Sequence, residues 1–96
     1  MSAYIVYQAT VTDPEQYERY RQAAGPAVAA AGGRFIARGG DIEVLEGEPP
    51  AGRTVLIEFP SMQVAVDFVR GDYQAVKALR EGAATARMYV VDGVPG

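Results

Sequence analysis

Two stretches of the chain are substantially apolar on both faces when read with a period of two. In Ala3–Val11, Ala3, Ile5, Tyr7, Ala9 and Val11 point one way, and Tyr4, Val6, Gln8 and Thr10 point the other. The first set is the more apolar and is expected under helices. Arg53–Phe59 reads the same way, and shorter strands are expected at Arg34–Arg38, at residues 42–45 and at residues 87–91. Between them the period lengthens. Asp13-Pro14-Glu15-Gln16 is a helix start: Asp13 caps, Pro14 fits the first turn, Glu15 suits the positive helix end, and Gln16 stands at capping-box spacing. Tyr17, Tyr20, Ala24, Ala27, Val28 and Ala31 then form one apolar stripe. Pro26 is expected to kink this helix near residues 22–25, and Gly32-Gly33 to end it.

Residues 47–52, with Pro49-Pro50, read as a loop. Ser61 is positioned to cap a second helix, Met62–Arg70, with Ala65, Phe68 and Val69 inward. Asp72 is positioned to cap a further helical stretch over residues 73–84, with Tyr73, Val76, Leu79 and Ala83 on one side. The order is β-α-β-β-α-β, an α+β chain of the ferredoxin-like type, with both main helices on one face of an antiparallel sheet. A chain of 96 residues holds too little helix to cover the other face. That face is expected to close against a second copy, making a homodimer.

Composition narrows the function classes. The length fits one domain, residues 1–96. A net charge of −3 with scattered charges disfavours nucleic acid and anionic membranes as partners. No apolar run reaches the roughly 20 residues of a membrane span, and no leader-like segment opens the chain, so the cytoplasm is the expected location. The chain has no cysteine and no histidine. Disulfides and thiolate chemistry are excluded, and so is imidazole as proton carrier or metal ligand. No haem, metal or other cofactor is expected, and chemistry would fall to carboxylates, tyrosines, lysine or arginines.

Three constellations are candidates. If the second and third strands pair with Arg34, Ile36 and Arg38 beside Thr54, Leu56 and Glu58, then Arg38 could grip a carboxylate or enolate while Glu58 moves a proton. The plainer alternative is a cross-strand ion pair. Tyr73, Lys77 and Arg80 fall on one helical face and could present a phenol and two cations to an anion, or simply pack and pair locally. Tyr4, Tyr7, Tyr17, Tyr20, Phe35 and Phe68 could line an aromatic cleft between sheet and helices, or be core. The candidate residues are therefore Glu58 and Arg38 for catalysis and Tyr4, Tyr20, Arg34, Tyr73 and Arg80 for ligand binding. Gly39-Gly40-Asp41 lacks phosphate-loop spacing. The acidic group Asp41, Glu43, Glu46 and Glu48 lacks a calcium-loop pattern and reads as a solvated face.

Several phrases stand together in order: Asp13-Pro14 with Tyr17 and Tyr20; Gly32-Gly33-Arg34; Arg38-Gly39-Gly40; Leu45-Glu46-Gly47; Glu58-Phe59-Pro60-Ser61; Ala65; and Tyr73-Gln74 with Arg80. Over nearly its whole length the chain resembles the small bacterial family called domain of unknown function 1330, within the dimeric α/β-barrel superfamily. The resemblance implies a ferredoxin-like protomer and a dimer whose two sheets form a barrel. It implies no activity. The wider superfamily includes cofactor-free monooxygenases, muconolactone isomerases and haem-dependent peroxidases, and only the fold carries over from them. The chain departs from the family pattern at Val69 and Gly71, where a tyrosine and a serine are common, so no site is expected on those hydroxyls. Two functions remain in view. One is a cofactor-free enzyme or binder for a small anionic or aromatic metabolite; the other is a non-catalytic dimeric accessory module.

Overall fold

A computed structural model describes residues 1–95. The elements run β1 (Ala3–Val11), α1 (Pro14–Ala30), β2 (Arg34–Arg38), β3 (Arg53–Phe59), α2 (Met62–Arg70), α3 (Tyr73–Lys77), a 3-10 turn at Ala78–Arg80, and β4 (Ala84–Asp92). The four strands form one open antiparallel sheet in the order β2-β3-β1-β4.

The alternation of β1 sets the layers. Ala3, Ile5, Tyr7 and Ala9 are buried beneath the helices with Val55, Ile57 and Phe59 of β3. Tyr17, Tyr20, Ala24 and Val28 of α1 and Ala65 and Phe68 of α2 complete this core. The start of α1 is held as its sequence dictates, with the Gln16 amide donating to Asp13 Oδ1 at 3.1 Å. Gln16 does not close a capping box. Its side-chain amide instead donates to the carbonyls of Leu79 (3.2 Å) and Glu81 (2.8 Å), tying α1 to the turn after α3. Ser61 caps α2 through the Val64 amide at 3.2 Å. Asp72 is itself helical and makes no side-chain cap, contrary to expectation.

The helix of α1 runs unbroken through Pro26. Proline removes the amide that would bond the Gln22 carbonyl. In the same turn the Arg21 carbonyl accepts from the Arg38 guanidinium at 2.7 Å, so a side chain from β2 braces the turn that proline weakens.

Further sequence expectations fail. Residues 42–45 form no strand; Ile42, Val44 and Leu45 lie exposed in the connection between β2 and β3. The helix expected over residues 73–84 ends early. Gly82 takes φ +79°, and the Ala83 carbonyl accepts from the Thr12 and Asp13 amides at 2.8 and 3.1 Å. That clamp lets β4 begin at Ala84, three residues before the expected start, and pair with β1 along its whole length. Leu79, expected inward, is exposed on the 3-10 turn.

The second sheet face bears three cross-strand rows. Ala37, Leu56, Val6 and Tyr89 follow one another across all four strands. On one side lies the row Arg34, Glu58, Tyr4 and Val91, and on the other Thr54, Gln8 and Arg87. Tyr89 is 54 % and Val91 49 % exposed. An apolar centre with polar flanks therefore faces outward.

Candidate functional site

A one-residue bulge in β2 decides how the candidate residues are distributed. Phe35 opposes Ile57 and Ala37 opposes Leu56, so Ile36 is the extra residue. Arg34 stays on the outward face opposite Glu58, while Arg38 comes opposite Val55 and turns to the helix face. The register expected to unite Arg38 with Glu58 therefore does not occur. Arg34 Nε meets Glu58 Oε1 at 2.6 Å, and the Tyr4 hydroxyl donates to Glu58 Oε2 at 3.3 Å. The bond from Arg34 holds the Glu58 carboxyl below its usual range, helped by Ser2 and Tyr4 and opposed by partial desolvation. Arg34 is largely exposed, so this is an ion pair at the sheet surface, of the kind that contributes little. Tyr4 joins this surface group rather than the aromatic cleft.

The remaining candidates, Tyr20, Tyr73 and Arg80, do converge. The phenol oxygens of Tyr20 and Tyr73 are 2.6 Å apart, and those of Tyr7 and Tyr17 are 2.9 Å apart, all buried. Arg80 donates a long 3.4 Å bond to the Tyr73 oxygen. Its guanidinium carbon lies 5.6 Å from the Tyr7 ring centre and 5.5 Å from that of Tyr20, within cation–π range. Burial pushes the Tyr20 phenol well above its ordinary pKa, and Tyr73 adds to the shift. Burial likewise raises Tyr7, with Tyr17 contributing. Both phenols are therefore neutral hydrogen-bonding groups near pH 7. Desolvation would lower the Arg80 pKa, but the tyrosine oxygens, Tyr73 first, outweigh it and raise it. Arg80 remains a cation.

Two recesses meet at Tyr73 and Met88. The inner one, between α1 and the sheet, is walled by Tyr7, Tyr17, Tyr20, Phe35 and Phe68, with arginines at its rim. Its free volume is about 20 Å³, room for little more than one water. The outer one is a groove between α3 and the β4 edge, lined by Tyr73, Gln74, Lys77, Arg80, Arg87 and Met88 among others. It holds about 210 Å³, below the roughly 300–1,000 Å³ of pockets for drug-sized ligands. Lys77 and Arg80 line it as cations, Arg87 borders it from β4 while its guanidinium donates to Gln8 Oε1 on the outward face at 2.7 Å, and no carboxylate lines it. The spacing of Tyr73, Lys77 and Arg80 on one helical face made this group legible in advance.

Arg21 and Arg53, absent from the candidates the sequence offers, both reach the rim of the inner recess. The signals were present. Arg21 follows Tyr17 by four residues on the buried stripe of α1, and Arg53 shares its strand face with Val55 and Ile57. Among the described residues, no group of three or more His, Cys, Asp or Glu side chains is placed to hold a metal ion. No helix among them is long and apolar enough to cross a membrane.

Comparison with known proteins agrees with the architecture. The family model described as domain of unknown function (DUF1330) matches residues 2–94, and the chain belongs to that family. The chain is similar to the crystal structure of RPA0582, a protein of unknown function from Rhodopseudomonas palustris. The TM-score is 0.70 at 20 % identity, covering 99 % of this chain and 84 % of that one. The methylated form of RPA0582 gives a TM-score of 0.70 at 19 % identity, covering 98 % and 82 %. These likenesses concern the fold. A search of curated proteins gave no match.

Proposed function

We propose that the protein is a homodimeric binder of a small organic anion, held in the groove between α3 and β4. The observation that carries the reading is the Tyr20–Tyr73–Arg80 chain at the head of a groove lined by the cations Lys77 and Arg80 and by no acid. Guanidinium and ammonium groups there attract an anionic head. Tyr73 offers an oriented phenol beside them. The free volume suits a ligand of a few carbons or a single ring. Catalysis forms no part of the proposal.

The strand order β2-β3-β1-β4 supports a ferredoxin-like protomer. The outward sheet face supports the dimer: its row Ala37–Leu56–Val6–Tyr89 is apolar at the centre and polar at the margins, as protein interfaces are. A second copy closing on that face would build a barrel of two sheets. One observation favours a second reading, a dimeric module without a ligand: the inner recess is nearly filled.

Native mass spectrometry of the protein from its own cells, followed by gentle denaturation, tests both parts. The proposal expects a dimer that releases a small anion, and an Arg80→Gln dimer that arrives empty. A monomer would remove the dimer, and an anion retained equally by Arg80→Gln would remove the site.

A further inference from the structure

The inner recess has a charged rim of its own, distinct from the groove at Tyr73. Arg21 of α1, Arg38 of β2 and Arg53 of β3 all line it. The bulge at Ile36 is what brings Arg38 to this side. Aromatic faces hold two of them in place: the Arg38 guanidinium carbon lies 4.1 Å from the Phe35 ring centre and that of Arg53 lies 5.7 Å from Tyr17.

Charge is unbalanced there. Arg21 pairs with Glu18 at 2.9 Å. Among the described residues, neither Arg38 nor Arg53 has a carboxylate partner. The Nε atoms of Arg21 and Arg53 are buried without a hydrogen-bond acceptor. Desolvation, then the fields of Arg21 and Arg53, lower the pKa of Arg38, as expected for like charges drawn together. Buried unpaired donors and gathered like charges are both unfavourable, and a bound anion offsets both.

We propose that Arg21, Arg38 and Arg53 form an oxyanion site at the α1–β2–β3 rim of the cleft. Its ligand is a carboxylate or phosphate group, which guanidinium forks bind through paired N–H donors. The site goes beyond the groove at Tyr73 and Arg80 and does not depend on it.

Calorimetric titration of the full chain with inorganic phosphate, and separately with acetate, tests the site and distinguishes the two sources of oxyanion. Wild type is expected to bind at least one of them saturably. Arg53→Gln should weaken that binding about tenfold or more, the loss of one charge-assisted contact. Arg70→Gln, at an exposed arginine that lines neither recess, should leave it unchanged. Arg21→Gln, whose side chain is partly solvated, provides the same reading if Arg53→Gln fails to fold. Absence of binding by wild type to either anion overturns the proposal. So does wild-type affinity in the folded Arg21 and Arg53 variants.

Discussion

The phenol oxygens of Tyr20 and Tyr73 lie 2.6 Å apart, joining α1 to α3 inside the core. Their rings meet edge to face at 6.2 Å, an arrangement that places hydroxyl against hydroxyl. One phenol donates and the other accepts, so removing either leaves a buried partner short of a bond. Tyr20→Phe or Tyr73→Phe should each cost about 1–3 kcal/mol. The double variant should cost less than the sum, because the orphaned group is gone. Chemical denaturation of the four proteins measures this, and strict additivity would show that the bond contributes nothing.

Alkaline pH attacks the same cluster. Tyr7 and Tyr20 have folded pKa values raised above the ordinary 10.0, by burial first and by their phenolic neighbours second. A raised pKa contributes stability that is fully present below pH 10 and declines as pH rises above it. The melting temperature should therefore fall above pH 10. Tyr20→Phe should flatten that fall, because residue 20 would no longer gain a proton preference on folding.

On the acid side the sign reverses. Glu58 has a folded pKa below its ordinary 4.5, chiefly through its bond from Arg34. Its contribution is present above pH 4.5 and disappears as pH falls below that value. Glu58→Gln should change stability little at pH 7, since the pair is at the surface, and should reduce the loss seen between neutral and acid pH. A large destabilisation at pH 7 would assign Glu58 a deeper structural role than the geometry gives it.

Gly33 supports Phe59, the core residue at the end of β3. A Cβ at position 33 would stand 2.7 Å from the Phe59 ring and 3.0 Å from Val28. Gly33→Ala should cost roughly 1–3 kcal/mol, as overpacking does. Unchanged stability in denaturant would mean that the Phe59 ring moves aside freely.

The parts of this structure legible in the sequence are those set by near neighbours. Asp13 and Ser61 declare their helix starts, and the alternation of Ala3–Val11 sorts the two sheet faces, because each depends on a few adjacent residues. Tyr73 and Arg80 fall together for the same reason, being seven residues apart near one helical face. The place of Arg38 is not legible locally, because a bulge exists only relative to a partner strand: nothing around Ile36 announces that Leu56 will face two residues. Tyr4 left the aromatic cleft by the parity of its strand, since it alternates with Tyr7 and lies opposite Glu58. The early start of β4 followed from Ala83 binding the chain at Thr12 and Asp13, seventy residues away. Glu81-Gly82 gave a local hint of that turn.

The most direct test of the anion groove is a calorimetric titration of small carboxylic acids, each of one ring or less, against wild type and Arg80→Gln. At least one acid should bind wild type saturably and bind the variant about tenfold or more weakly, as expected for the loss of one charged contact. If no acid binds wild type, or if the variant binds with equal affinity, the groove between α3 and β4 is not an anion site.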